Sequence, residues 1–176
     1  MRNRALIRWL APVAALSASP VAGVTYLTVE QAQAQLFPGE AMAAADTELS
    51  PEQAKAIEKA SDTRVRERSL RIWKAEGGGY FYLDQVIGKH ELITYALALA
   101  ADGEVRGLEI LDYRETYGGE VREPKWRQQF VGKRNGAPLK LEVDIANISG
   151  ATLSSRNVTL GVRRLLATHA LLFAKS

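Results

Sequence analysis

The stretch from residue 90 to residue 113, HELITYALALAADGEVRGLEILDY, decides the fold of this chain. It contains two apolar runs separated by Asp102 and Gly103, a dipeptide that favours the tight turn of a β-hairpin. The stretch therefore predicts two antiparallel strands joined at this dipeptide.

Three further segments are typical of strands. SLRIWKAE (residues 69–76) and YFYLDQVIG (80–88) flank three glycines, which predicts a second hairpin. LKLEVDI (139–145) alternates apolar and charged residues, which predicts a further strand with one buried face.

Helix signals occur on either side of these strands. Thr28 stands three residues before Gln31 and starts a short helix, and Ser50 followed by Pro51 starts a second one. AMAAADTEL (41–49) between them is interpreted as a flexible connection. EPKWRQQFVGK (123–133) predicts a short helix with Trp126 and Phe130 on one face. Apolar residues at helical spacing from Ser154 onward predict a C-terminal helix.

This order of elements, strands in sequence with helices at the ends, predicts an α+β fold: an antiparallel sheet with helices packed on one face. We expect three parts: a signal peptide or N-terminal membrane anchor at residues 1–23, a helical lead-in at 24–66, and the main domain at 67–176.

The N-terminal segment MRNRALIRWLAPVAALSASPVAG has three arginines and no acid, and no charge follows from Trp9 until Glu30. A basic start before an apolar stretch is typical of an export signal. Small residues at 18–23 fit a cleavage region, whereas the uncleaved stretch from Trp9 to Leu27 has about the length of a bilayer-spanning helix. Removal and retention therefore both stay open, beside an internal helix as a third interpretation. We expect the mature part to be periplasmic or on the outer face of the cytoplasmic membrane.

Charge and composition exclude several classes of function. The net charge is +3, but residues 24–176 carry 20 basic and 20 acidic residues, so no nucleic-acid-binding surface is predicted. Cysteine is absent and only two histidines occur, which excludes disulfides and iron–sulfur ligation and argues against a metal site.

Hydrolase and nucleotide motifs are missing as well. No G-x-S-x-G occurs, and GGGYF (77–81) matches no phosphate-binding loop. His169 is interpreted as a core or rim histidine. Asp84, Glu91 and Glu109 are interpreted as solvated charges on strand faces.

The remaining candidate is SGATLSS (149–155), at the junction of the predicted last strand and last helix. A helix N-terminus offers free N–H groups to a phosphate, Gly150 allows close approach, and Thr152 lies on the edge of that site. Ser154 and Ser155 are further donors or caps. From the residues alone, a phosphate site and ordinary capping by Ser154 both stay open.

SGATLSS followed by RNVTLGVRRLL (156–166) resembles the C-terminal signature of the FMN-binding domain family. That family includes flavin-carrying subunits of the sodium-translocating NADH:quinone reductase and of related ferredoxin-oxidising ion pumps. The resemblance, over residues 68–175, implies FMN esterified through its phosphate to Thr152 by a flavin transferase that uses FAD. Ser149, Gly150 and Ala151 would shape the turn.

The segment GEVRGLEILDYRETYGGEV (103–121) resembles the family's hairpin strand and the loop beside the flavin ring. Tyr117 stands where the family often has proline, and Ala146 stands where it usually has aspartate, with Asp144 or Asn147 as substitutes. Tyr117, Trp126 and Phe130 are candidates for a flat wall against the ring. The matching loop positions are Glu115, Thr116, Gly118 and Gly119.

The resemblance thus implies an exported FMN-binding electron-transfer protein, a carrier rather than a complete enzyme, with a membrane redox partner. The alternatives are an extracytoplasmic binding or scaffold domain with noncovalent or no flavin, and a periplasmic hydrolase using Ser154 or Ser155.

Overall fold

A computed structural model describes residues 24–173 of the chain as one antiparallel sheet with helices. The signal peptide or anchor predicted for residues 1–23 lies outside the described residues. The elements in chain order are β1 (Val24–Thr25), α1 (Val29–Leu36), β2 (Met42–Ala44), β3 (Thr47–Glu48), α2 (Pro51–Ser61), β4 (Ser69–Ala75), β5 (Tyr80–Ile87), β6 (Leu92–Leu99), β7 (Val105–Tyr113), a 3-10 turn (Gly119–Arg122), α3 (Pro124–Arg127), a second 3-10 turn (Gln128–Phe130) and α4 (Thr152–Phe173).

The strands lie in the order β1-β7-β6-β5-β4-β2, with β3 also paired to β4, and every neighbouring pair is antiparallel. The predicted α+β class is therefore confirmed. The hairpin at the centre forms as expected: β6 and β7 pair across a turn in which Gly103 has a φ of +80°. The glycine turn before β5 also forms, with Gly78 at a φ of +88°.

The sheet separates two apolar cores. The larger core lies between one face of the sheet and the helices α2 and α4, and includes Tyr82, Leu97, Val158 and Leu165. The smaller core lies on the other face, where α1 covers part of the sheet through Leu36. The main helical layer thus lies on one face, and α1 is added on the other.

The two predicted helix starts have the expected capping boxes. The Thr28 hydroxyl accepts from the Gln31 N–H while the Gln31 side chain accepts from the Thr28 N–H, and Ser50 and Gln53 repeat the arrangement. Of the helices within residues 24–173, none is long and apolar enough to cross a bilayer.

The predicted lead-in is more closely integrated with the sheet than its sequence indicates. AMAAADTEL is expected to be a flexible connection, but Met42–Ala44 and Thr47–Glu48 both pair with β4. A short alanine-rich run has little strand propensity of its own, so pairing with the edge of β4 decides its conformation.

The expectation that LKLEVDI (139–145) forms a strand is wrong. Leu139 and Glu142 have positive φ values of 42° and 64°, and the segment folds into a turn. The Asp144 carboxylate accepts hydrogen bonds from the N–H groups of Leu139 and Lys140, so a side chain replaces the partner that a neighbouring strand would supply.

Two acids expected to be solvated on strand faces are paired instead. Asp84 accepts from the buried Arg164 guanidinium and from the Tyr95 hydroxyl, and Glu109 forms an ion pair with Arg127. His169 is buried as expected, with its Nδ1 atom 2.8 Å from the Tyr82 hydroxyl, and burial lowers its pKa.

Candidate functional site

Three chain segments meet at one end of the sheet and enclose a cavity of about 400 Å³. They are the start of α4, the loop after β7 and the turn between β5 and β6. This volume is within the roughly 300–1,000 Å³ that small-molecule and cofactor sites occupy. The lining residues are Lys89, His90, Glu115, Thr116, Tyr117, Gly150, Ala151, Thr152, Leu153 and Ser154.

A tight turn leads into α4. The Ala151 N–H donates to the Ile148 carbonyl at 3.0 Å, and Gly150 has a φ of +79°, a conformation that glycine adopts without strain. No heavy atom lies within 4 Å of the place where a Gly150 β-carbon would be. The glycine is therefore required by the backbone of the turn, and the space beside it is open.

The start of α4 does not fit the alternative in which Ser154 is the N-cap of the last helix. α4 begins at Thr152, and the Ser155 N–H donates to the Ala151 carbonyl at 3.0 Å. Ser154 is inside the helix, so the interpretation of Ser154 as the N-cap is wrong. Within residues 24–173, no side chain caps the N–H groups of Thr152, Leu153 and Ser154, which precede the helical hydrogen-bond ladder. These groups remain available to an anion.

The hydroxyl groups of SGATLSS have different environments. Ser155 is fully buried, and its hydroxyl bonds within the chain to the Ala151 carbonyl and to the Asn147 side chain. Ser154 is buried beside the Tyr113 hydroxyl. Ser149 is exposed but does not line the cavity. Thr152 is half-buried, lines the cavity, and its hydroxyl makes no hydrogen bond to another group within residues 24–173.

Tyr113, at the end of β7, joins the two predicted site segments. Its hydroxyl donates to the Tyr117 carbonyl at 2.5 Å and lies 3.1 Å from the Ser154 Oγ. Because the tyrosine proton is directed at Tyr117, the Ser154 hydroxyl is the donor in the second bond. Partial burial raises the pKa of the Tyr113 hydroxyl above its ordinary value.

Glu115 connects the loop to the turn between β5 and β6. Its carboxylate accepts from the N–H groups of His90 at 2.5 Å and Glu91 at 3.0 Å. Partial burial raises the pKa of Glu115, but the N–H groups of Glu91, His90 and Lys89 outweigh that effect and hold the pKa below its usual range. Glu115 lines the cavity, and its carboxylate already accepts the hydrogen bonds that hold this turn.

The two glycines predicted in the loop have separate positions. Gly118 is buried against Ala151 with a φ of +91°, whereas Gly119 begins the 3-10 turn and does not line the cavity. Thr116 is exposed and lines the cavity. Of the predicted loop residues, Glu115, Thr116 and Tyr117 thus face the cavity, and Gly118 supports it from behind.

The aromatic candidates for a ring contact do not share one place. Tyr117 is 78% exposed and lines the cavity. Trp126 is buried in the larger core, packs edge-to-face on Phe130 with centroids 5.0 Å apart, and does not line the cavity. The Trp126 indole donates instead to the Ala146 carbonyl at 2.8 Å, which fixes the chain leading to the turn.

The position six residues before Thr152 is Ala146, and the two residues suggested as substitutes for an aspartate there both have other partners. Ala146 is exposed, and its N–H donates to the Gln129 side chain. Asp144 forms an ion pair with Lys133 at 2.8 Å, and Asn147 accepts from the Ser155 hydroxyl. Both suggested substitutes are engaged in other contacts.

Lys89 and His90 line the cavity and were not predicted as site residues. They lie in the turn between β5 and β6, and their only signal in the sequence is a polar turn after a strand. Thr152 also lines a second cavity of about 490 Å³, whose lining includes Lys140, Arg156 and Arg163. Residues 24–173 contain no cluster of three or more acids and histidines suited to a metal ion.

Residues 88–167 match the family model of the FMN-binding domain, a range that contains every residue lining the cavity at Thr152. The match gives FMN as the cofactor of this part of the chain. A subunit of the Na(+)-translocating NADH-quinone reductase of Vibrio vulnificus (strain YJ016) is 38% identical over 79 residues, covering 35% of this chain and 31% of the relative.

The corresponding protein from Vibrio anguillarum, which has the same name, is also 38% identical over 79 residues, with the same coverage. The one from Yersinia pestis is 30% identical over 118 residues, covering 54% of this chain and 44% of the relative. This chain therefore spans less than half the length of these curated relatives.

Proposed function

We propose, starting from the membership of residues 88–167 in the FMN-binding domain family, that this protein carries FMN as a phosphate ester on Thr152. Thr152 is chosen because the four hydroxyl groups in SGATLSS differ in burial, in hydrogen bonding and in whether they line the cavity. Ser154 and Ser155 are buried and hydrogen-bonded, and Ser149 does not line the cavity, whereas Thr152 lines it with a hydroxyl that has no hydrogen-bond partner within residues 24–173. Esterification of Thr152 breaks no bond within the described chain.

The residues around Thr152 suit FMN. The phosphate would lie at the uncapped start of α4, where the N–H groups and the helix dipole favour an anion. The open space beside Gly150 admits the phosphate without a clash. Tyr117 and Leu153 supply exposed apolar surface on the same cavity for the flat ring, and Lys89 adds a positive charge.

With FAD as the donor, the attachment of FMN by a flavin transferase is a balanced reaction. The Thr152 Oγ1 atom forms a bond to the phosphorus of the FMN half, the pyrophosphate bond breaks, and AMP leaves. The hydroxyl proton goes to a base. Glu115 is the one carboxylate among the cavity residues, and it already accepts from the His90 and Glu91 N–H groups. We therefore assign the base to the transferase.

The function that follows is electron carriage. Bound flavin accepts and releases electrons at its ring, and the protein sets its position and access. Within the described chain, Ser154 and Ser155 have no histidine as hydrogen-bond partner, so no nucleophile–base pair supports the hydrolase alternative. The relatives are named as subunits of a Na(+)-translocating NADH-quinone reductase, which supports a membrane redox partner. The basic, then apolar start of the sequence supports a location outside the cytoplasmic membrane.

The experiment combines purified protein, FAD, Mg²⁺ and a flavin transferase, followed by intact-mass measurement under denaturing conditions. We expect the wild type to gain the mass of one FMN less one water. Thr152→Ala should gain nothing, and Thr152→Ser should be modified. Thr116→Ala is the matched control, because it removes another hydroxyl from the same cavity and should leave the modification intact. Modification of Thr152→Ala would contradict the proposal.

One observation favours a noncovalent alternative: Ala146 stands at the aspartate position, and neither Asp144 nor Asn147 is free to replace it. A domain of this kind would bind FMN without the ester. Denaturation followed by gel filtration separates the two outcomes, because an ester keeps the yellow colour with the unfolded chain and noncovalent FMN elutes with the small molecules.

A further inference from the structure

A further cavity, of about 650 Å³, lies at the end of the sheet opposite the cavity at Thr152, and we call it the distal cavity. Its lining comes from the turn between β4 and β5, the turn between β6 and β7, residues 134–135 and the last turns of α4. The volume suits a small molecule. At 1.5 Å per residue along α4, Thr152 and His169 are about 25 Å apart. A ligand in the distal cavity would therefore be separate from FMN.

His169 is buried, and one edge of its ring reaches the distal cavity. The residue is 6% exposed, and its Nδ1 atom lies 2.8 Å from the Tyr82 hydroxyl. The Nε2 atom has no hydrogen-bond partner within residues 24–173. A β-carbon built on Gly103 would lie 3.5 Å from this Nε2 atom. The missing side chain of the turn glycine thus leaves this edge of the ring open to the cavity.

The hydrogen bond to Tyr82 determines which nitrogen of His169 carries the proton. Burial lowers the pKa of His169, so the ring is neutral at neutral pH. Tyr82 is 1% exposed, and its hydroxyl has no other partner among the described residues, so its proton is satisfied only by donation to Nδ1. The proton of the neutral imidazole is then on Nε2. His169 therefore presents an N–H donor to the distal cavity.

An aromatic wall lies beside this donor. The rings of Tyr80 and Phe173 are stacked with centroids 4.5 Å apart, and the His169 ring packs edge-on against Tyr80 at 4.9 Å. All three side chains line the distal cavity. A flat apolar ligand can pack against such a wall.

The charged side chains of the distal cavity leave one positive charge without a counter-ion. Arg134 pairs with Asp102 at 2.6 Å and with Glu104 at 2.8 Å. The Lys74 ammonium lies 5.9 Å from the centre of the Tyr80 ring, and Lys74 makes no ion pair with another residue of the described chain. An anion that enters the cavity would meet this uncompensated ammonium group.

We propose that the distal cavity binds an aromatic carboxylate, a small planar molecule with one negative charge. Its ring would pack against the wall of Tyr80 and Phe173. Its carboxylate would accept from the His169 Nε2–H and pair with Lys74. A neutral ligand would leave the ammonium unpaired, and an aliphatic anion would make less use of the wall. The inference does not rest on the proposed function, because none of these residues lines the cavity at Thr152.

The histidine signals test this proposal, because the chain has two histidines and they line different cavities. The full chain is labelled with carbon-13 at the histidine Cε1 atoms, and NMR follows both ring signals during titration with 2-naphthoate. We expect the His169 signal to shift until it saturates, with a Kd of about 1 mM or below, and the His90 signal to stay in place. 2-Naphthamide, which has the same ring and no charge, should bind about fivefold more weakly.

Lys74→Gln removes the cation and should weaken the binding of 2-naphthoate about fivefold, with little effect on 2-naphthamide. Arg71→Gln is the matched control. Arg71 is also an exposed cation on β4 beside an aromatic ring, that of Trp73, but it does not line the distal cavity. Both side chains are exposed, so both variants should fold, and unchanged backbone amide signals check this.

Three results would each overturn the proposal: no shift of the His169 signal up to about 10 mM 2-naphthoate, an equal shift of the His90 signal, or equal weakening by the two variants. Equal affinity for the acid and the amide would also overturn it, because the cation would then play no part. The titration is repeated with Thr152→Ala, where the His169 shift should be unchanged. Failure of flavin attachment therefore leaves this result intact.

Discussion

Gly118 lies directly against Ala151: a β-carbon built on Gly118 would come within 2.3 Å of the Ala151 Cβ and 2.5 Å of the Tyr113 hydroxyl. This contact joins the loop after β7 to the turn before α4, two segments more than thirty residues apart in the sequence. The close approach depends on a missing side chain on one partner and a small one on the other.

We predict that Gly118→Ala lowers the free energy of unfolding by about 2–4 kcal/mol, because a left-handed backbone and a steric clash add together. Gly136→Ala is the matched control. It has nearly the same φ, +92° against +91°, but nothing lies within 4 Å of its β-carbon position. The control should cost about 1–2 kcal/mol for the backbone alone. Urea unfolding measures both, and equal losses would show that the contact with Ala151 is not tight.

Tyr113→Phe tests the hydroxyl that joins the loop to α4. The change removes the donor to the Tyr117 carbonyl and leaves the buried Ser154 hydroxyl without its acceptor. We expect a loss of about 1–3 kcal/mol, the cost of an unsatisfied buried polar group. Ser154→Ala removes that orphaned group, so the double variant should lose less than the sum of the two single variants. Additive losses in a double-mutant cycle would contradict the hydrogen bond.

The acid stability of the fold should depend on Glu115. The pKa of this carboxyl is lowered from 4.5 in the folded protein, so its contribution to stability is fully present above about pH 4.5. The contribution is lost as the pH falls through the lowered folded-state pKa, because protonation releases the N–H groups of His90 and Glu91. We predict that Glu115→Gln lowers the free energy of unfolding at neutral pH. Below pH 4.5 the free energies of unfolding of the variant and the wild type should become more alike.

Urea unfolding at a series of pH values measures this difference. Glu104→Gln is the control, because Glu104 is a partly exposed acid that pairs with Arg134 at 2.8 Å and does not line the cavity. A Glu115→Gln curve that runs parallel to the wild-type curve through the acid range would show that the carboxylate does not hold the turn.

The elements that follow from the sequence are those whose cause is local. The capping boxes at Thr28 and Ser50 and the turn at Gly103 depend on residues within four positions of each other, and all three form as expected. The strand predicted at 139–145 does not form. Alternation of apolar and charged residues indicates a buried face, but it does not identify a neighbouring strand that would pair with this segment. Asp144 satisfies the backbone there instead.

The candidate site also contains residues that the sequence indicates and residues whose position depends on the fold. SGATLSS and its resemblance to a family single out Thr152 as the candidate residue. Of the four hydroxyl groups in SGATLSS, that of Thr152 is the one that lines the cavity and has no hydrogen-bond partner within residues 24–173. Trp126 is a candidate because of its flat side chain, but spacing on a helix does not say which neighbour covers it, and it lies in the core. Lys89 and His90 reach the cavity only because the turn between β5 and β6 packs beside the Glu115 loop.

The buried ion pair of Asp84 and Arg164 supports the last prediction. Their side chains are 17% and 8% exposed, the Arg164 Nη2 lies 2.5 Å from the Asp84 Oδ2, and the pair ties α4 to β5. Asp84→Asn leaves a buried guanidinium without its counter-ion, and we expect a loss of about 3–5 kcal/mol. Glu48→Gln is the control, because Glu48 pairs with Arg68 at the surface with side chains 57% and 49% exposed, and should change stability by less than about 1 kcal/mol. Replacing the whole group, as Asp84→Leu with Arg164→Met and Tyr95→Phe, should recover most of the loss, because neither a charge nor the buried Tyr95 hydroxyl then remains unpaired in the core. A triple variant as unstable as Asp84→Asn would show that the attraction between the charges, and not the cost of leaving one of them unpaired, holds α4 on the sheet.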